Sequence, residues 1–121
     1  MASNFVQDGD VIQYINAGTA ITANSVVRIG NILGIALVDI ANGATGSVMI
    51  EGVFTVPKVS GAVIAQGESL TWDASAAAFD DNLASPATGD VTGPPAIAFE
   101  AKGSGTTTIA VRFTGVPGTV A

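Results

Sequence analysis

The strongest segments of the chain alternate apolar and polar residues with a period of two, the pattern of a half-buried β-strand. In Ser47 to Val56, Val48, Ile50, Phe54 and Val56 share one face with Gly52, and Met49, Glu51, Val53 and Thr55 share the other. Thr108 to Thr114 is cleaner, with Ile109, Val111 and Phe113 inward and Thr108, Ala110, Arg112 and Thr114 outward. No stretch gives an amphipathic helix. Fifteen glycines and five prolines punctuate the chain, at Asn42-Gly43, Thr45-Gly46, Gly61, Gly67, Gly93-Pro94-Pro95 and Gly103-Ser104-Gly105 among others. Such spacing suits short strands joined by turns. The alanine-rich piece Asp73 to Ala78 reads either as one helical turn capped by Asp73 or as the turn of a hairpin between Trp72 and Phe79, and the hairpin is the expectation.

The pattern also echoes itself. Ile35-Ala36-Leu37 leads through Gly43 to Val48, Ile50 and Gly52, and Ile97-Ala98-Phe99 leads through Gly105 to Val111, Phe113 and Gly115, a spacing of 62 residues at the start and 63 at the end. Upstream, Ile21-Thr22-Ala23 before Val26-Val27 resembles Ile64-Ala65-Gln66 before Leu70, after which the second copy has an insertion around Trp72 to Pro95. Two related β-units packed into one barrel or sandwich would produce this echo, and so would a chance match between apolar strands. The predicted fold is all-β: a small single-domain β-barrel or β-sandwich, β-clip- or β-tulip-like, with little helix. Residues 1–10 are expected to form an N-terminal arm and 11–121 a single β-domain.

Composition narrows the chemistry. The chain has 121 residues, the size of one ordinary domain. Its charged residues make up 12%, four basic against ten acidic, for a net charge of -6. Nucleic acid is a poor partner for such a chain, because phosphates are bound by clustered cations, and Arg28, Lys58, Lys102 and Arg112 lie scattered. The apolar run Ile29 to Ile40 is interrupted by Asn31 and Asp39 and falls short of the ~20 residues of a bilayer span. No secretion signal is visible in Met1-Ala2-Ser3-Asn4-Phe5, so synthesis in the cytoplasm and no membrane partner are expected.

With no cysteine and no histidine, disulfides, thiolate-bound metals and the commonest catalytic bases are missing. The carboxylate pairs Asp8 with Asp10 and Asp80 with Asp81 are formally compatible with a glycosidase but read better as solvated turns. Lys102-Gly103-Ser104-Gly105-Thr106 has its lysine before the glycines, the wrong order for a phosphate loop, and reads as a hairpin turn. Trp72, the single tryptophan, lies in GESLTWDASAAAF, either plugging one end of the barrel or anchoring a protein interface. No catalytic residue, cofactor, metal or small-molecule substrate is expected.

Taken together, NFVQDGDVIQYINAGTAITANSVVRIGNILGIALVDIANGATGSVMIEGVFTVPK, AVIAQGESLTWDASAAAF and AIAFEAKGSGTTTIAVRF resemble the small capsid decoration, or cement, proteins of tailed bacteriophages and prophages. The likeness covers nearly the whole chain. Its most specific parts are the Val26-Val27 strand before Gly30, the Gly-Ile-Ala-Leu and Asp-Ile-Ala run, the Gly-Val-Phe strand ending at Pro57-Lys58 and the Gly67-to-Asp73 step. The stretch Ala84 to Pro95 is less familiar. The resemblance implies a compact β-domain, often a homotrimer, bound to the outer surface of the virion and bridging major capsid protein subunits. The N-terminal residues Ser3, Asn4, Phe5, Val6 and Gln7 are the candidates for capsid contact, and Trp72 is the candidate for a protomer interface. The alternative is a carbohydrate- or receptor-binding module of a phage head or tail fibre, with Trp72 and Tyr14 as its stacking surface.

Overall fold

A computed structural model describes Gln7 and residues 9–121. Within these residues the regular elements are eleven strands: β1 (Val11–Ile15), β2 (Val26–Ile29), β3 (Ile32–Ala36), β4 (Thr45–Met49), β5 (Glu51–Pro57), β6 (Thr71–Asp73), β7 (Ala78–Asp80), β8 (Val91–Thr92), β9 (Ala96–Ala98), β10 (Thr108–Thr114) and β11 (Thr119–Val120). They form three antiparallel sheets, β1-β4-β3-β2, β5-β10-β9 and β11-β8-β6-β7. The first curls into a half-barrel around a cluster of Val27, Ala36, Ile40, Val48 and Ile50. The all-β expectation holds.

The two long alternating segments take the faces read from the sequence. In β10, Ile109, Val111 and Phe113 are buried, and burying each such side chain fully contributes about 1.5–3 kcal/mol. The Ser47 to Val56 segment departs in one respect, because it is two strands. The chain leaves the first sheet at Met49 and joins the second at Glu51; Ile50 between them donates its amide to the Asp10 carbonyl at 2.8 Å, and Gly52 follows at a φ of 138°. Side-chain alternation runs unbroken through this change of partner, so periodicity alone shows one strand. Thr45-Gly46, read as a turn, is instead the start of β4.

The echo is a structural repeat. Ala36 faces Val48 in one unit, and Ala98 faces Val111 in the other. Ile12 lies opposite Val48 on the outer strand of the first unit, and Phe54 lies opposite Val111 in the second. Ile21 bridges Ile40, and Ile64 bridges Lys102. The Asn24 amide donates to the Ala36 carbonyl at 2.8 Å, and the Gly67 amide to the Ala98 carbonyl at 2.9 Å. Asn24 and Gly67 both sit at positive φ, 72° and 88°, where glycine is at ease and asparagine is tolerated. The inward side chains correspond as well: Ile12, Val27, Ile29, Ala36, Val48 and Ile50 in the first unit stand where Phe54, Leu70, Trp72, Ala98, Val111 and Phe113 stand in the second.

The units differ at one corner. Between β2 and β3 the first unit makes a tight turn at Gly30 and Asn31, whereas the second inserts residues 73–93, bearing β7 and β8. Trp72 pairs with Phe79 in the expected hairpin and with Val91 on its other side. Buried Asp90 ties the insertion together by accepting the Ala74 amide at 3.0 Å and the Ala87 amide at 2.9 Å.

Asp73 closes the hairpin turn. Its carboxylate accepts the Ser75 hydroxyl at 2.8 Å and the Ala76 amide at 3.1 Å, which hold its pKa below the ordinary value of 3.8. The hydroxyl is the larger cause, the Ala76 amide the next, and slight burial opposes both. A carboxylate with a lowered folded-state pKa adds stability above its unfolded value and loses it as pH falls through the folded value. The Ala76 amide should therefore lose protection, measured against its intrinsic exchange rate at each pH, as the protein is acidified below about pH 4. Asp73→Asn should remove that pH dependence, as hydrogen exchange read by NMR would show.

β3 joins the two cores. Ile32 and Ala36 pack with the first cluster, and Leu33 and Ile35 pack on the opposite face with the second. A strand buried on both faces reads as the continuous apolar run Ile32 to Ala36. Gly34 is required at its centre by space, since a Cβ there would lie 2.7 Å from the Met49 carbonyl oxygen and from Val48 Cγ1.

Candidate interaction surface

Two buried polar side chains anchor the loops that leave the outer strands, at corresponding positions in the repeat. Asn16, after β1, donates its amide to the Thr19 and Ile40 carbonyls at 2.9 and 3.0 Å and accepts the Gly18 amide at 3.0 Å. Lys58, after β5, is 3% exposed and aims its ammonium at the Val59, Thr106 and Ser60 carbonyls at 2.8, 3.2 and 3.5 Å. Three N–H donors meet three carbonyls, so the buried cation is satisfied without a carboxylate. These anchors fix the loops at one end of each unit.

Of the residues expected to make contacts, Ser3, Asn4, Phe5 and Val6 lie outside the described residues. Gln7 is exposed, and its side-chain amide donates to the Val11 carbonyl. Asp8 is likewise outside; Asp10 is an exposed turn residue, Asp80 accepts the Asp81 amide at 2.8 Å, and Asp81 accepts the Leu83 amide at 2.9 Å. Those carboxylates serve local turns. In the Lys102 to Thr106 loop, the Thr106 hydroxyl donates to the Gly103 carbonyl at 2.7 Å, closing the expected turn.

Trp72 gives its ring to the second core and is 8% exposed. Its centroid lies 4.9 Å from that of Phe79, and Phe79 and Phe54 each pack edge-on against Phe113 at 6.0 Å. The uncovered rim of Trp72 reaches a hollow of about 240 Å³ lined also by Asn24, Ser25, Val26, Pro57 and Ala77. Tyr14 is half-buried against the first core. Neither ring offers an open face for stacking a sugar.

The exposed apolar side chains are placed differently from what bulk alone suggests. Leu37 is 41% exposed and Phe99 is 54% exposed, each directly after a buried alanine, Ala36 or Ala98. Ile15, Val38, Val53, Val63, Leu83 and Val116 are also exposed. The alternation of Ala96, Ile97, Ala98 and Phe99 places the two alanines inward and Phe99 in solvent. Among the described residues no group of three or more acidic side chains comes together as a metal ion would require.

Comparison with known proteins agrees with a surface built for contact. A family model described as phage cement protein matches residues 6–113, a span that ends with the last inward residue of the second unit. No curated protein matches the chain.

Proposed function

Since the chain belongs to the phage cement protein family, we propose that it clasps neighbouring major capsid protein subunits as a homotrimer whose N-terminal arm reaches onto the shell. Membership makes it a structural, non-enzymatic decoration protein of the virion capsid, which it binds and stabilises. The finer reading concerns how. A head filled with DNA presses outward, and a clasp across subunit junctions opposes expansion by burying surface that expansion would re-expose. Interfaces of about 800 Å² per partner suffice for such contacts, and many copies on a closed shell multiply a modest affinity.

The observation supporting this reading is the family match across both repeat units, joined to a fold whose polar side chains serve its own loops. In this reading residues 11–121 act as one β-domain and residues 1–10 as its arm. Ser3, Asn4, Phe5, Val6 and Gln7 contact the capsid, and the rim of Trp72 faces a neighbouring protomer. Sizing of the purified protein should give a trimer, and mixing with undecorated heads should give retention on the shells with raised resistance to heat. A protein that fails to bind shells would refute the reading.

Deletion of residues 2–7 tests the arm separately. The truncated protein should melt within a few degrees of the full chain, because terminal residues contribute little to a packed core, but it should occupy shells at least about ten-fold more weakly, a loss of about 1.4 kcal/mol. Equal occupancy by sedimentation with heads would remove the arm from the contact.

A further inference from the structure

Leu37 and Phe99 occupy the same position in the two repeat units, and in both units an apolar side chain there stays in solvent. Their backbones are fixed alike: the Leu37 amide donates to the Ser47 carbonyl at 3.0 Å, and the Phe99 amide to the Ala110 carbonyl at 3.0 Å. Each ends a row of uncharged side chains across its sheet, edged in the second unit by the Glu100 carboxylate, which accepts the Ala110 amide at 3.2 Å. In the first unit Gln13 faces Ser47 beside Leu37, with the Gln13 amide 3.0 Å from the Ser47 hydroxyl. In the second, Thr55 faces Ala110 beside Phe99. Of the other exposed apolar residues, Leu83 belongs to the insertion that only the second unit has, Ile15 corresponds to Pro57, and Val53 and Val116, which follow the equivalent Gly52 and Gly115, form a second pair of smaller side chains.

We infer that Leu37 and Phe99 are paired anchors for one recognition element of the major capsid protein, so that a single cement chain grips two capsid subunits through its two halves. A rigid chain that presents the same anchor twice matches a partner that comes in many identical copies, and a capsid is such a partner. Each anchor needs only a shallow apolar socket, since a few buried side chains dominate most protein contacts. Two anchors on one chain convert the second engagement into an intramolecular event and raise the combined affinity well above either alone. Bridging thus resides in the duplication itself. The inference rests on the capsid-binding reading above.

The test uses the full-length protein and undecorated heads. Leu37→Ser and Phe99→Ser should each leave the melting temperature of the free protein nearly unchanged and lower shell occupancy by about ten-fold, while the double variant should lose it by far more than either single change. A photo-crosslinking residue placed in turn at 37 and at 99 should capture the same segment of the major capsid protein. Cross-links to different capsid segments, cross-links to other cement chains, or a loss of binding confined to one position would each overturn the inference while leaving capsid attachment standing. Heads that do not bind the unsubstituted chain would overturn both.

Discussion

Replacing Lys58 with methionine should lower the stability of the folded chain by about 2–3 kcal/mol, because hydrogen bonds from a charged group are worth about 1.5–3 kcal/mol and their loss leaves buried acceptors unpaired. Methionine keeps most of the stem's volume, so little of the loss would be cavity. The Val59, Thr106 and Ser60 carbonyls would each lose the ammonium that they now share. Urea denaturation with an unchanged slope would measure the effect. Lys102→Met provides the contrast: Lys102 is partly exposed and, among the described residues, ion-paired only with Glu100, at 3.6 Å, and its replacement should change stability by less than ~0.5 kcal/mol. A Lys58 variant as stable as the parent would mean that the carbonyls find water or other partners.

Gly46→Ile should be the most damaging single change, and its rescue can be read from the repeat. A Cβ on Gly46 would lie 2.6 Å from Ile40 Cδ1, closer still to Ile40 Cγ1 and 3.2 Å from Val38 Cγ2. In the second unit the same two positions hold Lys102 and Ile109, with Ile109 fully buried and Lys102 turned towards Glu100. One isoleucine fills the space in each unit, contributed from opposite sides. Gly46→Ile alone should cost about 3 kcal/mol or more through overpacking. Adding Ile40→Lys should recover most of that loss, with a coupling of about 2 kcal/mol in a double-mutant cycle. Additive losses would show that the two units solve this part of the core differently.

The fold was legible wherever a local rule and the tertiary context agreed. β10 has alternation, β-branched residues and one buried face, and its bounds coincide with the sequence reading. The repeat was visible because equivalent inward positions keep apolar residues in step, and the insertion appeared where the step broke. The change of sheet at Ile50 was hidden because side-chain period does not report which backbone neighbour accepts the hydrogen bonds. Gly46 read as punctuation, although its role is to leave room for Ile40, a contact that only the folded chain brings together. Lys58 read only as one of four scattered cations, because three convergent carbonyls leave no trace in composition.

The interaction surface was less legible for a related reason. Recognition of the family came from breadth of pattern, with no chemical motif to point at a residue, and hydrophobic bulk drew attention to Trp72, which the core absorbs. Phe99 appears in the sequence only as part of the echo Ile97-Ala98-Phe99, which does not say which way its ring points. Its outward direction follows from Ala96 and Ala98 occupying the inner face, where a larger side chain would compete with Phe113.

β3 has one face in each core, and this determines how the molecule fails under load. Prising open either half strips neighbours from the strand that the other half depends on, so neither unit has a stable half-released form to rest in. A shell held by such a part should yield abruptly at a threshold rather than creep.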